Sequence, residues 1–277
     1  MLINITPVQN YLVKKAAGVL SAKLKTRVEV AHVRLDFLNH FLIQGVYIED
    51  QHKDTLLYAG ELQIRISDWF IFRDKPIIHY LGVKNTFVHM YRKSTSDVWN
   101  SDFIADAFGS GNNKDTSASK PFELGLEKVE LDQVRFHMDD AWGGEDMDYD
   151  IGSAIINSRT LDFKKEFIDV KSIDFGKVAV LIREFKGGKP QKHKTAVDST
   201  EDFDPTPFNP DHWRVKVGEV NLKDCSFALE NGNSALVPGI FNQEHIDIRD
   251  IQIKVESVNI VGDTIHGKVN LLKARER

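Results

Sequence analysis

Apolar positions along this chain fall into one recurring spacing, most plainly at Leu126, Val129, Leu131, Val134, Phe136 and Met138. The same steps of three, two, three, two and two residues pass through Ile78, Leu81, Val83, Thr86, Val88 and Met90. They recur through Val170, Ile173, Phe175, Val178, Val180 and Ile182, and through Val217, Val220, Leu222, Cys225, Phe227 and Leu229. A fifth run, Ile248, Ile251, Ile253, Glu256, Val258 and Ile260, carries a charge at one slot, which would mark a mouth or an irregular edge. Such self-similarity at variable intervals is the mark of a sheet-forming repeat.

Steps of two keep side chains on one face of a strand, whereas a step of three turns the next slot to the other face. An extra residue in the strand cancels that turn and adds local twist. The polar dipeptides Lys84-Asn85, Asp132-Gln133, Gly176-Lys177 and Lys223-Asp224 sit where that residue is needed. The spacing therefore predicts a mainly β fold of long bent strands, apolar on one side. They would form a twisted antiparallel repeat sheet that curls into a groove.

The N-terminal segment has a different period. Thr6, Pro7 and Gln9 carry helix-start signals, and Val8, Leu12, Ala16, Val19, Leu20 and Leu24 follow at steps of three and four. An amphipathic helix is expected from about 7 to 25 within an N-terminal unit 1–27, with the β repeat domain spanning 28–277. Lys14, Lys15, Lys23, Lys25 and Arg27 make this unit basic in a chain of net charge −5. It suits either a solvated cap on the sheet or a surface close to anionic headgroups. Alternating strands follow from Val28 to Ile66, and 67–73 could form a turn of helix. Two polar stretches, 109–120 and 186–212, interrupt the repeat and are expected as loops.

Candidate chemistry is sparse. The acidic balance argues against bulk nucleic-acid affinity. Cys225 is the only cysteine, which excludes CxxC metal sites, and the ten histidines show no HExxH spacing. No catalytic residue, metal site or cofactor is expected. His89 and His137 precede the last apolar slot of their copies and should face solvent on the polar side. Asp146, Asp148 and Asp150 have D-x-D-x-D spacing within an acidic run from Asp139. Ile151 and Asn157 stand where an EF-hand needs Gly and Glu, and the run is read as a solvated loop. No apolar run reaches the ~20 residues that span a bilayer.

Several of these stretches occur in a specific order: Thr-Pro-Val-Gln-Asn-Tyr-Leu-Val-Lys-Lys-Ala (6–16), Leu-Lys-Thr-Arg-Val-Glu-Val (24–30), Ile-Gln-Gly-Val-Tyr-Ile-Glu-Asp-Gln (43–51) and Asp-Thr-Leu-Leu-Tyr-Ala-Gly-Glu-Leu (54–62). Together they resemble the N-terminal region of TamB-like proteins of the AsmA-like superfamily, in its Bacteroidota form. Val134–Asp140 and His245–Ile251 are similar to that family's later repeats. The resemblance is strongest over 6–92. It implies a non-enzymatic periplasmic β-groove (β-taco) anchored in the inner membrane by one N-terminal helix. Its activity would be phospholipid transfer between membranes, or outer-membrane protein assembly with a BamA-type barrel. The chain departs from the family in having no membrane-spanning segment and no C-terminal domain to meet the barrel, so an N-terminal fragment is expected, with Leu2-Ile3 the end of the anchor.

On that resemblance the groove for acyl chains would be lined by Leu81, Val83, Val88, Met90, Leu126, Val129, Leu131, Val134, Phe136, Met138, Ile173, Phe175, Val178, Val180, Val220, Leu222, Phe227 and Leu229. The basic helix would sit at the membrane exit. Two other classes remain open on the residues alone: a structural or adhesive β-repeat module with a closed core, and a β-helix acting on polysaccharide through the acidic run.

Overall fold

A computed structural model of the chain describes residues 6–36, 39–66, 77–108, 123–162, 165–190, 208–236 and 242–276; the side chains of 6–12, 16, 108, 123 and 124 are not described. The segment 67–73 and the loop at 109–120 lie outside the described residues.

Helix α1 covers Thr6–Leu24. It stops where Lys25 turns into the left-handed region (φ 54°) and the Thr26 amide reaches back to the Ser21 carbonyl at 3.2 Å, a six-residue closure typical of helix ends. The buried stripe agrees with the one the spacing predicts at Leu24 and differs at Val19 and Leu20, which are exposed, with Ala17 buried in their place; Val8, Leu12 and Ala16 lie outside the described side chains. The sequence is apolar on several sides (Val13, Ala17, Val19 and Leu20), so the partner strand chooses the face. Ser21 makes that choice visible, since its hydroxyl accepts from Val28 N at 2.8 Å and bonds Val28 O at 3.2 Å.

The remainder is one sheet of ten strands in chain order: β1 (Val28–Asp36), β2 (His40–Glu49), β3 (Thr55–Ile66), β4 (Ile77–Arg92), β5 (Glu123–Asp140), β6 (Glu145–Asp162), β7 (Phe167–Glu184), β8 (Arg214–Asn231), β9 (His245–Val261) and β10 (Thr264–Glu276). Short α2 (Asp102–Phe108) follows β4. The sheet does not close into a barrel, because β1 and β10 are not paired.

The sheet is mixed and not antiparallel throughout, because β4 pairs β5 and β7 pairs β8 in parallel. Parallel neighbours need a long crossover, and the two polar interruptions expected as loops supply them. The described ends of the second, 186–190 and 208–212, are anchored. Lys189 N bonds Trp142 O at 2.9 Å, and buried Asn209 donates to the carbonyls of Trp213 and Gly262.

Each copy of the spacing lies within one strand: β4, β5, β7, β8 and β9. The reset residues are visible as backbone. Asn85, Gln133, Lys177 and Asp224, the second member of each predicted dipeptide, all have φ between 49° and 54°. Non-glycine residues take this region at a cost of roughly 1 kcal/mol, so four at equivalent positions are built into the repeat. Strand pairing aligns them across the sheet. Gly60 falls opposite Asn85, Gly152 opposite Lys177, and Gly45, itself at φ 62°, opposite Ala31. The glycines are needed for space: a methyl at Gly152 would lie 2.9 Å from the Lys177 Cβ and 3.0 Å from two backbone carbonyls.

Candidate functional site

Because parallel strands carry the spacing in the same direction, the pairing stacks like slots. Leu81 lies opposite Val129, Val83 opposite Leu131, Val88 opposite Phe136 and Met90 opposite Met138. Ile173, Phe175 and Val180 likewise lie opposite Val220, Leu222 and Phe227, and Ile182 opposite Leu229. Directly paired residues project from the same face, so each slot becomes a row running across the strands. Val134 pairs Thr86 and, through Ile151, reaches Val178. Leu126 lies beyond a register shift, where its carbonyl accepts the Ser158 hydroxyl.

The antiparallel strands between the copies complete the rows. β6 contributes Met147, Tyr149, Ile151, Ala154 and Ile156, and β3 contributes Leu57, Ala59, Leu62 and Ile64. The sequence reading missed these because strands of opposite direction carry the steps reversed. A search with the mirrored spacing would have found Met147, Tyr149, Ile151, Ala154 and Ile156.

The same reversal corrects the fifth copy. In β9 the residue opposite Val220 is Val255, while Glu256 lies opposite Glu219 and has its carboxylate 3.8 Å from Lys254 Nζ. Glu256 is therefore on the polar face and marks no mouth. Asp250 (φ 53°) and Ser257 (φ 55°) place two resets in β9 where the forward spacing allows one.

Burial is graded about the line of left-handed residues. Beside it on the apolar rows, Ala59 and Ala154 are 1% exposed, and Thr86, Val134 and Cys225 are buried. Farther out most slot residues are half-buried, but Val170 and Val217, the first slots of their copies, are buried again. On the line, Asn85, Gln133, Lys177, Asp224 and Asp250 are exposed. Among the described residues no strand packs on any strand except its sheet neighbours, and α1 packs on β1 and α2, with its Leu24 carbonyl accepting from Gln51 Nε2 at 2.8 Å. Among the described residues no second layer covers the rows.

The basic residues fare unequally. Lys14, Lys15, Lys23 and Lys25 are exposed. Arg27 is exposed as well, but its guanidinium binds Glu29 at 2.9 Å and Glu49 at 3.3 Å and lies 5.3 Å from the Tyr47 ring centre. Its charge is locally balanced by these two carboxylates. No described helix is long and apolar enough to cross a membrane.

The opposite face is polar and ordered. The acidic run is not a loop: Asp139 and Asp140 end β5, and Asp146, Asp148 and Asp150 alternate along β6. Alternation sets these three on one face, opposite Asp139, His137 and Arg135. Asp140 is the exception, standing on the apolar side two residues on from Met138: it takes two bonds from Arg92, at 2.6 and 2.5 Å, and these hold its carboxyl below the usual range against the opposing effect of burial. Tyr80 is pushed up to about 12 by burial and by its 2.6 Å bond to Glu130. His89 and His137 do lie on this face, but half-buried and side by side with ring centres 5.0 Å apart.

No protein-family model and no curated protein matches the chain.

Proposed function

We propose that the chain is a non-enzymatic lipid-handling module in which the apolar rows, folded about the line of left-handed residues, form a groove for phospholipid acyl chains. One observation carries this reading: apolar rows run in register from β1 to β9, across the strands, with no second layer over them among the described residues. A closed-core module would bury the same residues against another layer. Burial supports a concave apolar side, since small residues at the line are sealed while most outer slots, Val170 and Val217 excepted, stay half open. At ~4.8 Å per strand, nine strands give a path of roughly 40 Å. Each methylene kept from water along it contributes about 0.8 kcal/mol. Uniform rows let a chain slide without a deep trap, and no bond is broken, so neither nucleophile nor cofactor is required.

The envelope setting rests on the resemblance to TamB-like proteins of the AsmA-like superfamily. In that setting the groove is periplasmic, held at the inner membrane through a segment ahead of α1, and a BamA-type barrel is the distant partner. Nucleic acid is not a partner. Exposed Val19 and Leu20 beside Lys14, Lys15 and Lys23 support a membrane-facing α1.

Native mass spectrometry of the protein purified from cells tests the groove. Wild type is expected to carry phospholipid, and Met138→Glu with Phe227→Glu is expected to carry little. A control pair on the other face, Tyr58→Glu with Leu181→Glu, should carry as much as wild type, with circular dichroism verifying that both fold. Wild type without lipid, or equal loading in the groove pair, overturns the proposal.

A further inference from the structure

Parallel pairing of β4 and β5 brings together two histidines 48 positions apart, His89 directly opposite His137. Asp139, two residues on from His137, shares their face. Its Oδ2 is 2.9 Å from His89 Nε2 and its Oδ1 is 3.0 Å from His137 Nε2. The candidate ligand atoms of the three residues all lie within 4.8 Å of one another. In a tetrahedral zinc site with ~2.0 Å bonds, neighbouring ligand atoms are about 3.3 Å apart, and each imidazole already stands close to that distance from one oxygen of the shared carboxylate, so a small turn of Asp139 would present one oxygen to both.

The surroundings orient the set. Asp148 of β6, paired opposite His137, bonds its Nδ1, and Asp148 is itself held by Arg183 Nη1 at 2.9 Å. A carboxylate on Nδ1 fixes the proton there and turns the Nε2 lone pair toward Asp139, the usual outer arrangement of a metal-bound histidine. Tyr91 packs against the His89 ring at 5.4 Å between centres. We propose that His89, His137 and Asp139 form a binding site for a divalent transition metal, with Asp148 as its orienting residue. Two imidazoles and one carboxylate suit zinc, and three protein ligands leave a position for water or a group from outside. The site is on the face away from the apolar rows and stands independently of the lipid groove.

The test titrates Zn²⁺ into the full chain, freed of metal by chelation, against a chromophoric chelator. One equivalent is expected to bind. His89→Ala with His137→Ala should abolish it, and Asp139→Asn should do so without removing a ring. Asp148→Asn should keep the stoichiometry and weaken affinity about 10–100-fold. Cobalt in place of zinc should give the visible absorption of a low-coordinate site in wild type and in Asp148→Asn at saturating metal, and in neither ligand variant. Absence of binding to wild type, or unchanged stoichiometry and affinity in the double variant, overturns the site.

Discussion

The two ends of the sheet carry the same alternation and are finished differently. At the β1 end, α1 covers the strand and Leu24 and Val28 are buried. The neighbouring β2–β3 turn closes on Asp50, which is 1% exposed and accepts from His52 N at 2.7 Å, Asp54 N at 3.0 Å and Asn100 Nδ2 at 3.2 Å. At the β10 end every described residue of the strand is exposed, Leu272 at 68%. Its polar contacts are surface pairs such as Arg275 with Asp250 at 2.6 Å. An apolar slot acquires burial only when a neighbour lies on both sides or something caps the edge. The alternation alone does not distinguish an interior strand from an edge.

The largest way to break the contrast is Asp50→Ala. It leaves two backbone amides and the Asn100 amide without their acceptor, a loss of about 3 kcal/mol in chemical denaturation. Burial raises the Asp50 carboxyl, but the bonds from Asp54, Tyr91, Asn100 and His52 outweigh it and the net value is lowered. A carboxylate depressed in the folded state adds stability above its unfolded value of ~3.9 and loses it as pH falls through the folded value. The gap between wild type and Asp50→Ala should therefore be full at pH 7 and shrink below about pH 4. A gap independent of pH would mean that the carboxylate's charge is not what closes the turn.

Next come matched truncations. Leu24→Ala at the capped end should cost about 2–3 kcal/mol, since it opens a cavity between α1 and β1. Leu272→Ala at the open end should change stability by no more than about 0.5 kcal/mol. Equal losses in the two denaturation midpoints would show that β10 is covered in solution.

Much of this was legible in the residues. The four dipeptides located the left-handed positions because the step of three cannot keep one face without them. The helix boundaries were legible to within a residue, its buried stripe only in part, because Val19 and Leu20 satisfy the spacing as well as Ala17 does. Strand direction was hidden too. Forward copies on adjacent strands required parallel pairing and long crossovers, yet the interruptions read only as loops. The histidine pair was invisible for the same reason: His89 and His137 occupy equivalent slots of two copies, and only parallel register makes equivalence into contact.

The smallest effects follow the left-handed line from one end to the other. Gly45→Ala, near the capped end, puts a side chain at φ 62° with its methyl 2.7 Å from the Ala31 Cβ. The cost should be about 1–2 kcal/mol. Asp250→Gly, near the open end, removes a side chain from φ 53° in β9, whose outer neighbour β10 is exposed along its whole length. The exposed pair with Arg275 is worth little, and the extra freedom of glycine in the unfolded chain offsets part of the relief. A gain of about 0.5 kcal/mol is expected. Opposite signs in the two denaturation curves mean that the line is one continuous backbone feature whose tolerance is set by what lies beside it. Loss at both positions would mean that Asp250 is held by contacts of its own, and that the open end is finished by side chains after all.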